Sequence, residues 1–182
     1  MAIERGAILA IHAVAIPQQT IVLAVTTKGY LAICNEEHIF TCVQVHRASI
    51  TAMTACVSGS VIKIWTGGDD NALSLHRYDV ATHHLEANVA TDATKHCSQI
   101  TAIVLDDLHH YLFTTGPDRR VNAWAVRDGL VHQQCQDVLV QDSAAILLFD
   151  NLLYVAGVGV QQLPLAVFGL DRPPKRARIA AQ

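Results

Sequence analysis

The chain has 182 residues and a formal net charge of −3, with hydrophobic residues at 51% and charged residues at 16%. This composition excludes intrinsic disorder for most of the chain, and the length suits one hydrophobic core or two small ones. The longest apolar run, residues 7–16, contains His12 and ends at Pro17, well short of the ~20 residues that a membrane-spanning helix needs.

Short apolar segments follow one another along almost the whole sequence. Apolar and β-branched residues alternate or form brief runs, with turn residues between most of them and without the 3.6-residue period of an amphipathic helix. The sequence therefore predicts an all-β fold. In chain order the segments read AILAIHAV, TIVLAVTT, YLAIC, IFTCVQV, SITAMTAC, VIKIWT, ALSLHRYDV, QITAIVL, YLFTT, RVNAWAV, AAILLF and LLYVAG.

Two of these stretches are copies of one repeat. Residues 66–76, TGGDDNALSLH, and residues 114–124, TTGPDRRVNAW, both begin with Thr and carry Asp in fifth place. An Ile-Thr-Ala segment precedes each copy, in HRASITAM from His46 and in HCSQITAI from His96. The spacing from one copy to the next is 50 residues for the histidines and 48 for the aspartates, which indicates an internal repeat.

Weaker copies flank these two. Residues 24–34 place Lys28 where the repeat has Asp, and residues 155–165 place Gly159 there. Each unit reads as strand, strand, tight turn, strand and a more polar fourth strand, a pattern typical of a β-propeller blade. We predict one domain over residues 1–170 with about four blades of four strands each, at residues 7–45, 46–92, 96–138 and 140–168.

At the residue level the repeat resembles the WD-repeat family. In that family a His, a Ser or Thr, an Asp and a Trp form a buried hydrogen-bond chain that fixes the blade. The resemblance assigns this role to His96, Thr114, Asp118 and Trp124 in one unit, and to His46, Thr66, Asp70 and His76 in the other, where His76 takes the Trp place. Neither copy ends in Trp-Asp, neither His follows Gly, and the first and fourth units lack the Asp.

A narrower resemblance covers most of residues 46–165. It lies in GGDDNALSLHRYDV, the insertion ATHHLEANVATDATKHCSQITAI, TTGPDRRVNAWAV, and a last unit, VQDSAAILLFDNLLYVAGVGVQQLPL, with a Gly-rich turn in place of the Asp turn. This order is similar to the C-terminal blades of the WD-repeat subunits that partner the tRNA wobble-position 2′-O-ribose methyltransferase. The resemblance implies a non-catalytic subunit that helps to place tRNA for a separate methyltransferase.

Four blades raise a geometric problem, because WD-repeat propellers usually have more. Four blades of ordinary curvature leave an open arc with two unpaired edges, and such edges seek partners. The chain is a piece of a longer protein, part of a ring completed by another chain, or an unusually small closed ring. We favour an incomplete propeller whose missing blades come from the same or another chain, with other protein subunits as partners.

Basic residues occur beside the repeat and at the end of the sequence. Arg47 follows His46, and Arg119 and Arg120 follow the Asp118 turn. Two interpretations are open: these arginines contact phosphate or an acidic partner, or they belong to ordinary solvated turns. Residues 1–170 hold nine Lys or Arg against fifteen Asp or Glu, whereas residues 171–182 are basic. We predict a flexible tail that serves nuclear import or contacts RNA through Lys175, Arg176 and Arg178.

Catalysis and cofactor binding are not expected. A Thr, His and Asp set that recurs at repeat spacing favours a structural role over a hydrolase triad. Neighbouring histidines on a strand face opposite sides, so the pairs at 83–84 and 109–110 predict no metal site. The five cysteines lack a CxxC pair, which fits a reduced cytoplasmic or nuclear setting. The alternative function is a structural adaptor between proteins, without RNA contact.

Overall fold

Alternating apolar residues and polar turns fold this chain into antiparallel β-structure. The computed structural model describes residues 5–170 except residues 18, 107, 109 and 128, and the described part contains fourteen strands and one short 3₁₀ helix. The all-β prediction is confirmed. Three sheets have four strands and a fourth has two, and within each sheet the strands pair in chain order.

Each sheet forms one of four blades. Blade 1 contains β1 (Ile8–Ile16), β2 (Gln19–Thr26), β3 (Tyr30–Cys34) and β4 (Ile39–Gln44). Blade 2 contains β5 (Ile50–Ser58), β6 (Val61–Gly68), β7 (Leu73–Asp79) and β8 (His84–Asp92). Blade 3 contains β9 (Ala102–Leu105), β10 (Tyr111–Thr115), β11 (Arg120–Ala125) and β12 (Val131–Asp137). Blade 4 contains β13 (Gln141–Phe149), β14 (Leu152–Pro164) and the 3₁₀ helix Leu165–Phe168.

Blade 4 corrects one part of the sequence prediction. The Gly-rich segment is not a turn, because residues 157–160 lie inside the long strand β14, and no further strand follows it in the described residues. Gly157 packs so closely on β13 that a Cβ there would lie 2.4 Å from the carbonyl oxygen of Gln141. Val158 still pairs with Gln141 of β13, and Gly159, at a positive φ of 104°, offers no carboxylate to close a turn. The unit therefore has two strands and a helical turn instead of four strands.

The hydrophobic cores lie between blades. Side chains alternate along each strand, so every blade has a leading face toward the preceding blade and a trailing face toward the following one. Leu23 of blade 1 meets Ile64 of blade 2 in the first core. Trp65 of blade 2 meets Leu112 of blade 3 in the second. The third core joins blades 3 and 4 and includes Phe113.

Repeat-equivalent threonines connect the innermost strands of successive blades. The Thr51 hydroxyl in β5 donates to the carbonyl of Ile100, ahead of β9, at 2.6 Å. Fifty residues later, the Thr101 hydroxyl donates to the carbonyl of Ser143 in β13. These bonds tie blade 2 to blade 3 and blade 3 to blade 4.

The four blades form an open arc. Within the described part of the chain, each blade packs on its sequence neighbour, and blades 1 and 4 form no packed interface with each other. No helix among the described residues is long and apolar enough to cross a membrane.

Candidate functional site

A buried hydrogen-bond network joins the four residues singled out in blade 3. His96, in the loop before β9, has Nδ1 2.9 Å from a carboxylate oxygen of Asp118 and Nε2 2.8 Å from the hydroxyl of Thr114. The indole Nε1 of Trp124 donates to the same hydroxyl at 3.0 Å. The network thus connects the loop, two strands and the turn at one end of the blade.

Blade 2 contains the equivalent network with a different last member. His46 Nδ1 lies 2.8 Å from Asp70 Oδ1, and His46 Nε2 lies 2.8 Å from the hydroxyl of Thr66. His76 Nε2 approaches that hydroxyl at 2.7 Å, in the place that Trp124 has in blade 3. The backbone N–H of Asn88 donates to the other ring nitrogen of His76 at 3.0 Å.

These donors fix the direction of every bond. Because the Asn88 N–H can only donate, His76 Nδ1 is an acceptor and His76 Nε2 carries the proton that it donates to Thr66. The Thr66 hydroxyl then donates to His46, whose Nδ1 proton points to Asp70. The direction in blade 3 is the same, from Trp124 to the Asp118 carboxylate. Each buried polar group of the two networks therefore has a hydrogen-bond partner.

The carboxylates close each turn onto the neighbouring loop. Asp70 also accepts the backbone N–H of Arg47 at 3.0 Å, and Asp118 accepts that of Cys97 at 3.0 Å. Burial alone would raise the pKa of both carboxyl groups, but the hydrogen bonds from the histidines and these N–H groups hold each pKa below its ordinary value. Both side chains are thus stabilised as carboxylates.

His76 responds to burial in the opposite way. Its ring is fully buried, and burial together with the nearby His46 lowers the pKa of His76 from 6.5 to about 3. The ring is therefore neutral at pH 7, as its acceptor role toward Asn88 requires.

Burial also decides what the two networks can do chemically. Thr66 and Thr114 are both 0% exposed, and His46 and His96 are 4% exposed. A nucleophile needs a cleft that admits substrate, whereas each of these hydroxyls lies between packed blades. Among the described residues, no cluster of three His, Cys, Asp or Glu side chains could hold a metal ion.

Comparison with known proteins identifies the architecture. No protein-family model and no curated protein sequence matches the chain. The crystal structure of the WD40 β-propeller domain of Doa1 is similar, with a TM-score of 0.66 and 14% sequence identity over 82% of this chain. The fold is that of a WD40 β-propeller. The chain spans 47% of the Doa1 propeller chain, about half, so it is a partial propeller of four blades.

The WD40 network of blade 3 extends further than the sequence indicated. The amide of Asn122 is fully buried and lies 3.1 Å from His96 Nε2, while its carbonyl oxygen is 2.9 Å from His132 Nε2 on the outermost strand. Asn122 therefore carries the hydrogen bonds outward across the blade. The sequence could have indicated this role of Asn122, because Asn122 lies two residues before Trp124 and therefore on the same side of β11.

The arginines predicted as contact residues lie at the same end of the WD40 blades as the two aspartates. Arg47 and Arg119 are exposed, and within the described part of the chain neither guanidinium has a hydrogen-bond or ion-pair partner. Arg119 adopts a positive φ of 58° in the turn. Arg120 differs, because its guanidinium lies 3.2 Å from the thiol of Cys97. Lys175, Arg176 and Arg178 lie outside the described residues.

The two tryptophans provide a paired test of the blade 3 network. Trp65 Nε1 is buried without a hydrogen-bond partner among the described residues, whereas Trp124 Nε1 bonds to Thr114. Both substitutions to Phe lose the same buried volume, but Trp65→Phe also removes an unsatisfied donor, so its cost is that of the lost volume alone. Trp124→Phe should cost about 1–2 kcal/mol more, because it removes a satisfied buried bond. Urea denaturation of both variants checks this, and equal losses would contradict it.

Proposed function

We propose that this chain is a non-catalytic WD40 scaffold that holds other macromolecules in position. The observation that carries the proposal is the burial of both His, Thr and Asp networks within blade interfaces. The polar side chains of these networks hydrogen-bond to one another and close the turns, so they hold the surrounding loops in place. The exposed loops and turns then remain as the surface for partners.

We further propose that the partners are tRNA and a 2′-O-ribose methyltransferase. The sequence resemblance of residues 46–165 to the WD-repeat partner subunits supports this, and so do two exposed, unpaired guanidinium groups on rigid supports. The backbone at Arg47 is held by Asp70, and Arg119 lies in the turn that Asp118 closes. Guanidinium groups so placed suit phosphate oxygens. Holding substrate and enzyme together would lower the entropic cost of their encounter.

Filter binding of the full chain to tRNA at low salt tests this role. The double variant Arg47→Ala/Arg119→Ala should weaken binding and reduce the salt dependence of log K by about one unit per lost phosphate contact. Arg127→Ala is the matched control, because Arg127 is exposed near the opposite end of blade 3, and it should bind like the unmodified chain. Equal weakening by the control would contradict a specific contact at the Arg47 end.

A second candidate is a protein adaptor without RNA contact. The observation in its favour is the set of exposed carboxylates at the same end of the blades, which would repel phosphate: Asp69, Asp137 and Asp142. Full-length protein and protein lacking residues 171–182 would be tested with tRNA, each alone and with the methyltransferase. No affinity in any of these four conditions would support the adaptor and reject the tRNA role.

A further inference from the structure

The two ends of the arc expose apolar sheet faces. On blade 4, Ile146 and Val155 pack against blade 3, so the alternate side chains of β13 and β14 lie on the trailing face. Leu147 and Phe149 on this face are 59% and 68% exposed. The described side chains on this face carry no charge: Ala145, Leu147, Phe149, Leu152, Tyr154 and Ala156.

The leading face of blade 1 has the same character. Leu23 and Val14 pack against blade 2, so the alternate side chains of β1, β2 and β3 face away from it. Ile11 on this face is 65% exposed. At the edge of this face the Arg5 guanidinium lies over the ring of Tyr30, 5.1 Å from its centroid. The described side chains in its middle are uncharged, and most are small: Ile11, Ala13, Val22, Ala24, Ala32 and Cys34.

In the other blades, equivalent positions form the packed interfaces. Tyr154 has the repeat position of Trp65 and Phe113, which are 0% exposed because the following blade covers them. Ile11 pairs with Ala24 as Ile103 pairs with Thr114, and Ile103 packs into the core between blades 2 and 3. The two end faces therefore have the residues of a blade interface but lack a covering blade.

The two faces also suit each other. Every interface within the arc joins a trailing face to a leading face, so the trailing face of blade 4 can pack only on a leading face in the same manner. Large side chains at Leu147, Phe149 and Tyr154 would meet alanines and a cysteine on the leading face of blade 1. Large residues packed against small ones give close-packed layers.

We propose that a second copy of this chain covers both faces. The trailing face of blade 4 of each copy packs on the leading face of blade 1 of the other, and the two arcs form one eight-bladed ring. Head-to-tail interfaces of this kind close when the rotation per copy completes a circle, and propellers with eight blades are known. The chain spans 47% of the Doa1 propeller chain, so two arcs supply about one ring. This proposal does not depend on RNA contact.

Light scattering of the purified full-length chain tests the proposal. We expect a mass of twice the 19.8 kDa of one chain. Phe149→Glu and Ile11→Lys each place a charge in both interfaces of the ring, so each should give a folded monomer. Val131→Glu is the matched control, since Val131 is 57% exposed on the outermost strand of blade 3, and it should remain a dimer. Near-UV circular dichroism verifies the fold of each variant.

Mixing the two monomeric variants tests the head-to-tail arrangement. A heterodimer of Ile11→Lys and Phe149→Glu has one unmodified interface and one in which the lysine faces the glutamate, so equimolar mixing should restore a dimer. A monomeric unmodified chain at the highest soluble concentration would overturn the proposal. A dimer that only Phe149→Glu disrupts would also overturn it, because that result indicates blade 4 packed on blade 4.

Discussion

Replacement of His96 by leucine is expected to lower the free energy of unfolding by about 3–5 kcal/mol. His96 is 4% exposed and contacts Asp118 at 2.9 Å, Thr114 at 2.8 Å and Asn122 at 3.1 Å. Leucine fills much of the volume but bonds to none of the three. The substitution removes one hydrogen bond each from a carboxylate, a hydroxyl and an amide, and the Asp118 side chain is only 5% exposed, so little water can replace the lost bond.

Urea denaturation at pH 7 measures this loss. His84→Leu is the control, because His84 is exposed at the start of β8 and the same change there should stay within about 0.5 kcal/mol. A double-mutant cycle with Thr114→Val adds a sharper criterion. Because the two residues belong to one network, the double variant should lose less stability than the sum of the losses in the two single variants. A loss below about 1 kcal/mol would contradict a structural role. Loss of an activity with stability intact would indicate catalysis instead.

The polar network could be anticipated through the resemblance of the repeat to the WD-repeat family, which implies a role for each of four repeat positions. Each His precedes the first strand of a blade, each Thr lies on the second strand, and each Asp lies in the turn that follows. Antiparallel pairing brings such positions to one end of a sheet whatever the surrounding residues are. The repeat of Thr66 and Asp70 at Thr114 and Asp118 located these positions, and the resemblance implied the contacts among them.

Other features depend on pairing that the sequence does not encode locally. The hydrogen bond between His132 and the Asn122 side-chain oxygen requires a β-bulge between β11 and β12, where the pairing register shifts between Ala123 and Trp124. The Gly-rich segment of blade 4 resembles a turn in sequence, yet it lies inside β14, which pairs with β13 as far as Val158. Likewise, apolar residues alternate in the same way on covered and uncovered faces. Only the three-dimensional arrangement of the blades therefore shows that Ile11 is exposed whereas Ile103 is packed in a core.

His76 should make the stability of the protein depend on pH between about 7 and 5. Its pKa is about 3 in the folded chain and near 6.5 when the ring is exposed, so the unfolded chain binds a proton more readily. The contribution of neutral His76 to the free energy of unfolding is fully present above the pKa of the unfolded chain and falls as the pH decreases toward 3. From pH 8 to pH 5 the loss should be about 2 kcal/mol. The pKa values of Asp70 and Asp118 are also lowered in the folded chain, so these carboxylates contribute stability that is lost only below about pH 4. That loss lies outside the pH 8 to pH 5 range in which His76 acts.

His76→Gln isolates this contribution, because glutamine can donate to Thr66 and accept from Asn88 without titrating. Urea denaturation at pH 8 and pH 5 should show most of the 2 kcal/mol loss abolished in this variant. Burial, together with the nearby Lys95, lowers the pKa of His132 as well, so a smaller loss of the same sign should remain. His84→Gln, the same change at an exposed site, should keep the full loss. If His76→Gln keeps it too, another group carries the pH dependence and His76 is not the buried neutral member of the blade 2 network.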